Sequence, residues 1–252
     1  MKTISAIVIA KNEEKMIKEC LASISFCNEI IVVDSGSEDK TLEIAEKMGA
    51  KVFEYKSQDF SDLRSFGASK TTTDWILYVD ADERVPLRLK EEIESKILKE
   101  SIFDAYKVKR KNFYLGNYEW PYVEKIERLF KKESLRGWKG RLHESPIVDG
   151  KIGEIENFLT HYTHEDLSYM VEKTLEWSKV EAELRFEVNH PSMTWWRFPR
   201  VMLSAFINSY IVQGGWKAGT VGVVESIYQA FSIFITYARL WELQNEKIKN
   251  AK

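Results

Sequence analysis

Strand and helix patterns alternate four times in the first hundred residues, and this alternation narrows the fold more than any other feature of the chain. Ile4 to Ala10 is an apolar run interrupted only by Ser5, as a central parallel strand requires. It stops at Lys11-Asn12-Glu13-Glu14, after which Met16, Ile17, Cys20, Leu21 and Ile24 recur at helical spacing. Ile30 to Val33 predicts a second strand, closed by Asp34-Ser35-Gly36-Ser37, and the helix carrying Leu42, Ile44, Ala45 and Met48 ends at Gly49. Lys51 to Tyr55 predicts a short third strand and Phe60 to Lys70 a short helix. Trp75 to Val79 predicts a fourth strand, and Pro86 to Lys99 a helix with proline in its first turn. The repetition implies an α/β chain with a mostly parallel sheet and right-handed crossovers. Ligands of such sheets bind beyond the carboxyl ends of the strands.

The residues at those ends are chemically pointed. The fourth strand runs into Asp80-Ala81-Asp82-Glu83-Arg84. On extended backbone Asp80 and Asp82 point the same way, and two close carboxylates repel unless a cation or a hydrogen-bond network shares the site. Mg²⁺ or Mn²⁺ bridging them to a diphosphate suits hard oxygen ligands; an acidic start to the next helix is the plainer alternative. No Gly-x-Gly-x-x-Gly follows a strand and no Walker-type lysine loop is present, which argues against a dinucleotide oxidoreductase or a P-loop nucleotidase. A nucleotidyltransferase would need a basic, Gly-rich phosphate loop near the first strand.

From Asp104 the rhythm changes. Ala105 to Lys109, Glu127 to Lys131 and Leu142 to Val148 predict shorter mixed strands. Between the first two, residues 112–122 carry Phe113, Tyr114, Tyr118, Trp120 and Tyr122, a platform for sugar C–H faces or a loop tucked onto the sheet. Residues 165–187 predict a charged amphipathic helix. From Pro191 to Val224 there is no acidic residue, while Arg197, Arg200 and Lys217 stand among Trp195, Trp196 and Trp216. Two apolar segments follow, 201–213 and 219–241; the first is too short to span a bilayer, and the second carries Glu225, Gln229, Ser232, Thr236 and Arg239 as a polar stripe. These predict two amphipathic helices lying on the rest of the chain, on a membrane surface or on another subunit of a homo-oligomer. The domain organisation expected is 1–165, divided into 1–100 and 101–165, followed by a helical extension over 166–252.

Hydrophobic residues make up 44% of 252, which fits a globular chain with a sizeable core. A formal charge of -2 argues against a nucleic-acid partner. Cys20 and Cys27 have no metal-spaced partners and are expected to be reduced thiols of a cytoplasmic protein. The first residues enter a strand without a signal-like segment, which also points to the cytoplasm.

Three stretches taken together carry a resemblance: Ile9-Ala10-Lys11-Asn12-Glu13, Val32-Val33-Asp34-Ser35-Gly36-Ser37-Glu38-Asp39-Lys40-Thr41 and Val79-Asp80-Ala81-Asp82-Glu83. The chain resembles the family 2 inverting glycosyltransferases of the GT-A fold. Asn112 to Gly116, Glu127-Arg128-Leu129-Phe130, Leu142-His143-Glu144, His161-Tyr162, Gly214-Gly215-Trp216 and Ala238-Arg239-Leu240 make it similar to lipopolysaccharide core-biosynthesis enzymes of the WaaE/KdtX type. It departs from them at Arg64-Ser65, where relatives often have Arg-Asn, and at Trp216-Lys217-Ala218-Gly219, where they tend to have Asp-Gly.

The resemblance implies a Rossmann-like GT-A domain that moves a sugar from a nucleotide-sugar to a glycan or glycolipid acceptor, peripherally at the inner membrane. Ala10, Asn12 and Glu13 are then expected at the base, Asp34 at base or ribose, Arg64 at a base carbonyl and Asp80 at ribose or metal. For Asp34 an Asx turn is the structural alternative, and for Arg64 an ion pair with Asp62. Asp82, Asp80 and His161 are the expected metal ligands, with His164 nearby. Glu144 is the expected general base, oriented by the residue before it. Arg128 would face the departing phosphates or form a solvated ion pair. A non-catalytic nucleotide-sugar-binding, membrane-docking module is the alternative of a different class; it would not depend on Glu144.

Overall fold

The computed structural model describes residues 2–57, 59–98, 102–116, 118–141, 144–163 and 166–250, the last four of these by backbone only. It divides into two compact units, one of residues 1–111 and 123–161, the other of 112–122 and 162–252. Residues 112–122 thus group with the later unit.

The first unit holds the strand–helix alternation. Its elements are β1 (Ile4–Ala10), α1 (Ile17–Ser23), β2 (Glu29–Asp34), α2 (Thr41–Lys47), β3 (Lys51–Glu54), α3 (Phe60–Lys70), β4 (Trp75–Tyr78), β5 (Glu83–Arg84) and α4 (Leu87–Leu98). β3, β2, β1 and β4 lie side by side and all parallel, with Ala10 beside Asp34 and Ile7 beside Tyr78. Every residue of β1 and β4 is buried, which is why both read as continuous apolar runs. The order reverses direction between β1 and β4, the switch point at which open α/β sheets form a ligand crevice. α3 begins on Asp59, whose carboxylate accepts from the Ser61 amide at 2.8 Å. It packs hard on the sheet at Gly67, where a Cβ would stand 2.6 Å from Ile7 Cγ2.

Of the later strands, β6 (Ala105–Tyr114) and β7 (Tyr118–Lys131) are longer than their patterns suggest, β9 (Ser145–Val148) begins later than expected, and β8 (Leu135–Lys139) and β10 (Ile152–Tyr162) were not anticipated. The sheet order is β3-β2-β1-β4-β7-β6-β10-β5, with β7 antiparallel to β4 and β10 antiparallel to β5. The expected mostly parallel sheet therefore describes its first half. The expected aromatic loop is instead the end of the β6–β7 hairpin, turning where Leu115 and Gly116 have φ 44° and 93°. The strand expected from Leu142 begins at Ser145, and Leu142 and His143 lie outside the described residues.

The second unit contains α5 (Leu167–Glu187), α6 (Arg197–Ile207) and α7 (Gly219–Asn250). α6 runs on through a π-helical segment, Asn208–Val212, and a 3₁₀ turn over Gly215–Ala218 precedes α7. Asp166 caps α5 by accepting from the Tyr169 amide at 2.9 Å. Of the hairpin rings, Trp120 is buried, tilted against Tyr114 and donating its indole N–H to Gln213, whereas Tyr118 and Tyr122 are exposed. The polar stripe of α7 faces inward: Glu225 and Thr236 are buried, and Gln229, Ser232 and Arg239 half-buried. On the same helix Val223, Ile227, Phe231, Phe234 and Trp241 are exposed.

Candidate active site

The loops after β1 and β2 are laced together. Asn12 takes the left-handed conformation (φ 56°), which asparagine tolerates better than most residues. Its amide N–H donates to Ser37 Oγ and its side-chain carbonyl accepts from the Glu38 amide, at 2.9 and 2.8 Å. The Glu13 amide donates to Thr41 Oγ1 at 2.8 Å, and the Ala10 carbonyl accepts from the Ser35 amide. Asp34 is buried and forms the Asx turn weighed above: Oδ2 accepts from the Gly36 and Ser37 amides and Oδ1 from Ser37 Oγ. Three of a carboxylate's roughly four lone-pair sites are used there. Ala10, Asn12, Glu13 and Asp34 thus form one rigid rim at the carboxyl ends of β1 and β2.

Beyond β4 the backbone turns instead of continuing extended, with the Glu83 amide donating to the Asp80 carbonyl at 2.8 Å. Asp80 and Asp82 therefore have separate partners, unlike the alternation expected of a strand. Glu83, fully buried, accepts from the Asp80 amide through Oε2 and from Arg128 and Arg110 through Oε1, at 2.9, 2.8 and 3.0 Å. Asp80 takes Arg128 on Oδ2 and Arg64 on Oδ1, the latter at 3.1 Å. Burial alone would raise the Asp80 carboxyl, but Arg128, Arg64 and Arg110 hold it well below the usual carboxylate range. Burial works against the Arg128 charge too, and Asp80 and Glu83 more than restore it.

Arg64 extends the chain of charges to Glu144. Its Nε donates to Glu144 Oε1 at 2.7 Å while its Nη2 holds Asp80, so it pairs with these two and leaves Asp62 to Ser57. The guanidinium lies 5.1 Å from the Trp138 ring centroid and 5.4 Å from that of Tyr78, whose hydroxyl donates to the Arg64 carbonyl. Glu144, Arg64, Asp80, Arg128, Arg110 and Trp138 line a cleft of about 390 Å³. The carboxylates of Asp80 and Glu144, three guanidinium cations and an aromatic wall thus share one opening.

Asp82 pairs with His161, Oδ2 to Nε2 at 3.2 Å, because β10 sets His161 opposite Glu83 across the β5 pairing. Burial pushes the imidazole down, yet Asp82 raises it above its ordinary value; Asp82 in turn is lowered, chiefly by His161 against the opposing effect of burial. No cluster of three or more His, Cys, Asp or Glu stands ready for a metal among the described residues. Asp82 and His161 are the residues that would hold a divalent cation, a carboxylate oxygen and an imidazole nitrogen both being competent metal ligands. His164 lies outside the described residues.

Arg110 and Trp138 line the site and were not anticipated, and Glu83, visible after the fourth strand, was given no role there. Arg110 shares its strand face with the buried Tyr106 and Val108, and an arginine on a core-facing register was the available signal.

A family model described as glycosyl transferase family 2 matches residues 5–152. An uncharacterised glycosyltransferase of Rickettsia bellii is 31% identical, with 96% of this chain and 87% of that protein covered. The lipopolysaccharide core biosynthesis glycosyltransferase LpsC of Rhizobium meliloti is 24% identical, over 95% of this chain and 92% of its own length. Among solved structures, residues 1–349 of TarS from S. aureus superpose with a TM-score of 0.49 at 15% identity, covering 99% of this chain and 92% of that one.

Proposed function

Because this chain belongs to glycosyl transferase family 2, we propose that its cleft moves a sugar, with inversion, from a nucleotide-sugar to a hydroxyl of a lipid-linked glycan such as a lipopolysaccharide core. The observation that carries this reading is the continuous line Glu144–Arg64–Asp80 along one cleft. Displacement at an anomeric carbon needs a base on the acceptor side and charge neutralisation on the leaving side, and the line supplies both. The acceptor class is supported by the name of the Rhizobium meliloti relative.

Each residue has a part. The rim of Ala10, Asn12, Glu13 and Asp34 holds the nucleoside, with backbone groups available to the base and Asp34 to a ribose hydroxyl. Glu144 takes the proton of the attacking hydroxyl, so that one in-line step inverts the anomeric centre. Arg64 fixes Glu144 and, with Arg128, brings positive charge to the side where the diphosphate departs. Mg²⁺ or Mn²⁺ held by Asp82 and His161, with Asp80 beside them, would add neutralisation of that leaving group without proton transfer. The reaction belongs in the cytoplasm at the membrane surface, where a lipid-linked acceptor is presented.

The test is turnover of a panel of uridine-, guanosine-, cytidine- and adenosine-linked sugars by the purified chain with Mn²⁺ or Mg²⁺. Release of nucleotide from at least one donor is expected, accelerated by lipid-linked glycan. A panel that binds without any release would favour the non-catalytic module.

A further inference from the structure

The apolar surface of the second unit is turned outward, and we infer that α6 and α7 lie flat in the headgroup boundary of an anionic bilayer. This goes beyond the catalytic reading and does not depend on it. On α6 and its π-helical continuation, Leu203, Ile207 and Ile211 are exposed at intervals of four, and no residue of α6 is buried. On α7, Val223, Ile227, Phe231 and Phe234 are exposed at intervals of four, four and three, one face of a helix. The polar stripe of α7 is inside instead, its exposed acids being Glu242 and Glu246 near the far end: Glu225 accepts from Gln229 at 2.7 Å, and the Tyr228 hydroxyl meets Thr174 and the Met170 carbonyl of α5. Polar groups satisfied internally and apolar groups outside is the arrangement hydrocarbon favours, and contiguous exposed apolar surface marks an interaction face.

Charge identifies the occupant. Residues 191–224 contain no acid. Arg197 and Arg200 lie over the Trp196 ring, Lys217 lies over Trp216, and Trp195 is 83% exposed. Tryptophan beside lysine and arginine is the composition of the membrane–water interface, and the missing acids leave the face complementary to anionic headgroups.

The helices lie on the bilayer and do not cross it. α7 has the length and composition to span, but α5 packs along it and exposes Glu172, Glu176, Lys179 and Glu187. A crossing α7 would draw those charges into hydrocarbon, where ionised side chains are strongly disfavoured.

Flotation of the full chain with phosphatidylcholine vesicles, with and without phosphatidylglycerol, tests this. The chain should float with the anionic vesicles at low salt and be released by high salt. Arg197→Glu, Arg200→Glu and Lys217→Glu together should weaken partitioning on the order of 100-fold or more, since each basic residue contributes roughly tenfold or somewhat less before reversal. In the unmodified protein, brominated lipid should quench tryptophan fluorescence, a reading that needs no variant to fold. Failure to float under any of these conditions overturns the inference, whether the chain is then monomeric or a dimer that covers this face. Donor turnover without flotation would leave the catalytic reading standing, whereas flotation without turnover would do the reverse.

Discussion

Arg128 and Asp80 form the central ion pair of the cleft, and Asp80 is held on its other oxygen by Arg64. A cation that ligates Asp80 competes with two guanidiniums for its charge; Arg128 keeps Glu83 and Arg64 keeps Glu144, but each loses part of its compensation, which another anion restores. The diphosphate of the donor is such an anion. Cation and nucleoside diphosphate should therefore bind cooperatively, by a factor within the usual range of about 5–150. Mn²⁺ titrations followed by electron paramagnetic resonance should give weak binding to the free protein and at least about tenfold tighter binding with UDP or GDP, whichever the protein takes. Arg128→Gln should bring that ratio toward one. Equal Mn²⁺ affinity with and without bound diphosphate in the parent protein would refute the coupling.

Glu144 can be tested without disturbing its surroundings. In Glu144→Gln the amide oxygen still accepts from Arg64 Nε, so the ion-pair line loses one charge and keeps its shape. Removing a general base should lower kcat by about 10²–10⁴-fold. Diphosphate affinity, measured by calorimetry, should stay within about twofold because the rim proposed to hold the nucleoside is not touched. A kcat near that of the parent would assign the base elsewhere.

How much of this was legible in the sequence follows from where the charges sit. β1, β2 and β4 are buried on both faces, so their residues form unbroken apolar runs that announce a parallel sheet. β6 alternates Lys107, Lys109 and Lys111 with inward-facing residues, and β10 does the same with Glu154 and Glu156. Half of each strand is solvated, and the short patterns dissolve into what look like loops. Within the site, Asp80, Asp82, Arg64, His161 and Glu144 were visible as polar residues at strand ends or beside the expected crevice. Their pairings were not: Arg128, expected at the departing phosphates or in a solvated ion pair, meets Asp80 48 residues away, and Arg110 meets Glu83 27 residues away. Local pattern cannot report a bond formed only when β6 and β7 join the sheet. The inward polar face of α7 was hidden for a related reason: periodicity reveals two faces but not which one meets the neighbouring helix.

The second unit depends on a close approach at Gly222. A Cβ there would lie 1.8 Å from the Gly215 carbonyl oxygen, a backbone atom that cannot rotate aside. Alanine in a helix gains about 1 kcal/mol over glycine, while overpacking costs about 1–3 kcal/mol and more where backbone must move. The clash should win, so Gly222→Ala is expected to lower stability by about 2 kcal/mol. In a chain of this size that corresponds to a fall of roughly 4–8 °C in Tm. Differential scanning calorimetry measures it, and a Tm at or above the parent's would mean that the two segments can separate at little cost.

The cysteines give a pH-dependent reading of the first unit. Burial pushes the Cys27 thiol up to about 12, with Glu94 adding to the shift and Lys90 opposing it, and burial raises the Cys20 thiol as well. Only the thiolate is nucleophilic, so at pH 9 Cys27 is overwhelmingly protonated in the folded chain, against about half or more ionised when unfolded. Iodoacetamide at pH 8.5, followed by mass spectrometry, should leave both residues unmodified in native protein and label both in urea. The same shift fixes a sign for stability. A folded pKa above the unfolded one stabilises fully below about pH 9, and that contribution is lost as pH rises toward 12. Urea midpoints of the parent should therefore fall more steeply than those of Cys27→Ala between pH 9 and pH 11. Parallel slopes, or ready labelling of the half-buried Cys27 in the native chain, would mean that this thiol titrates as a solvated one.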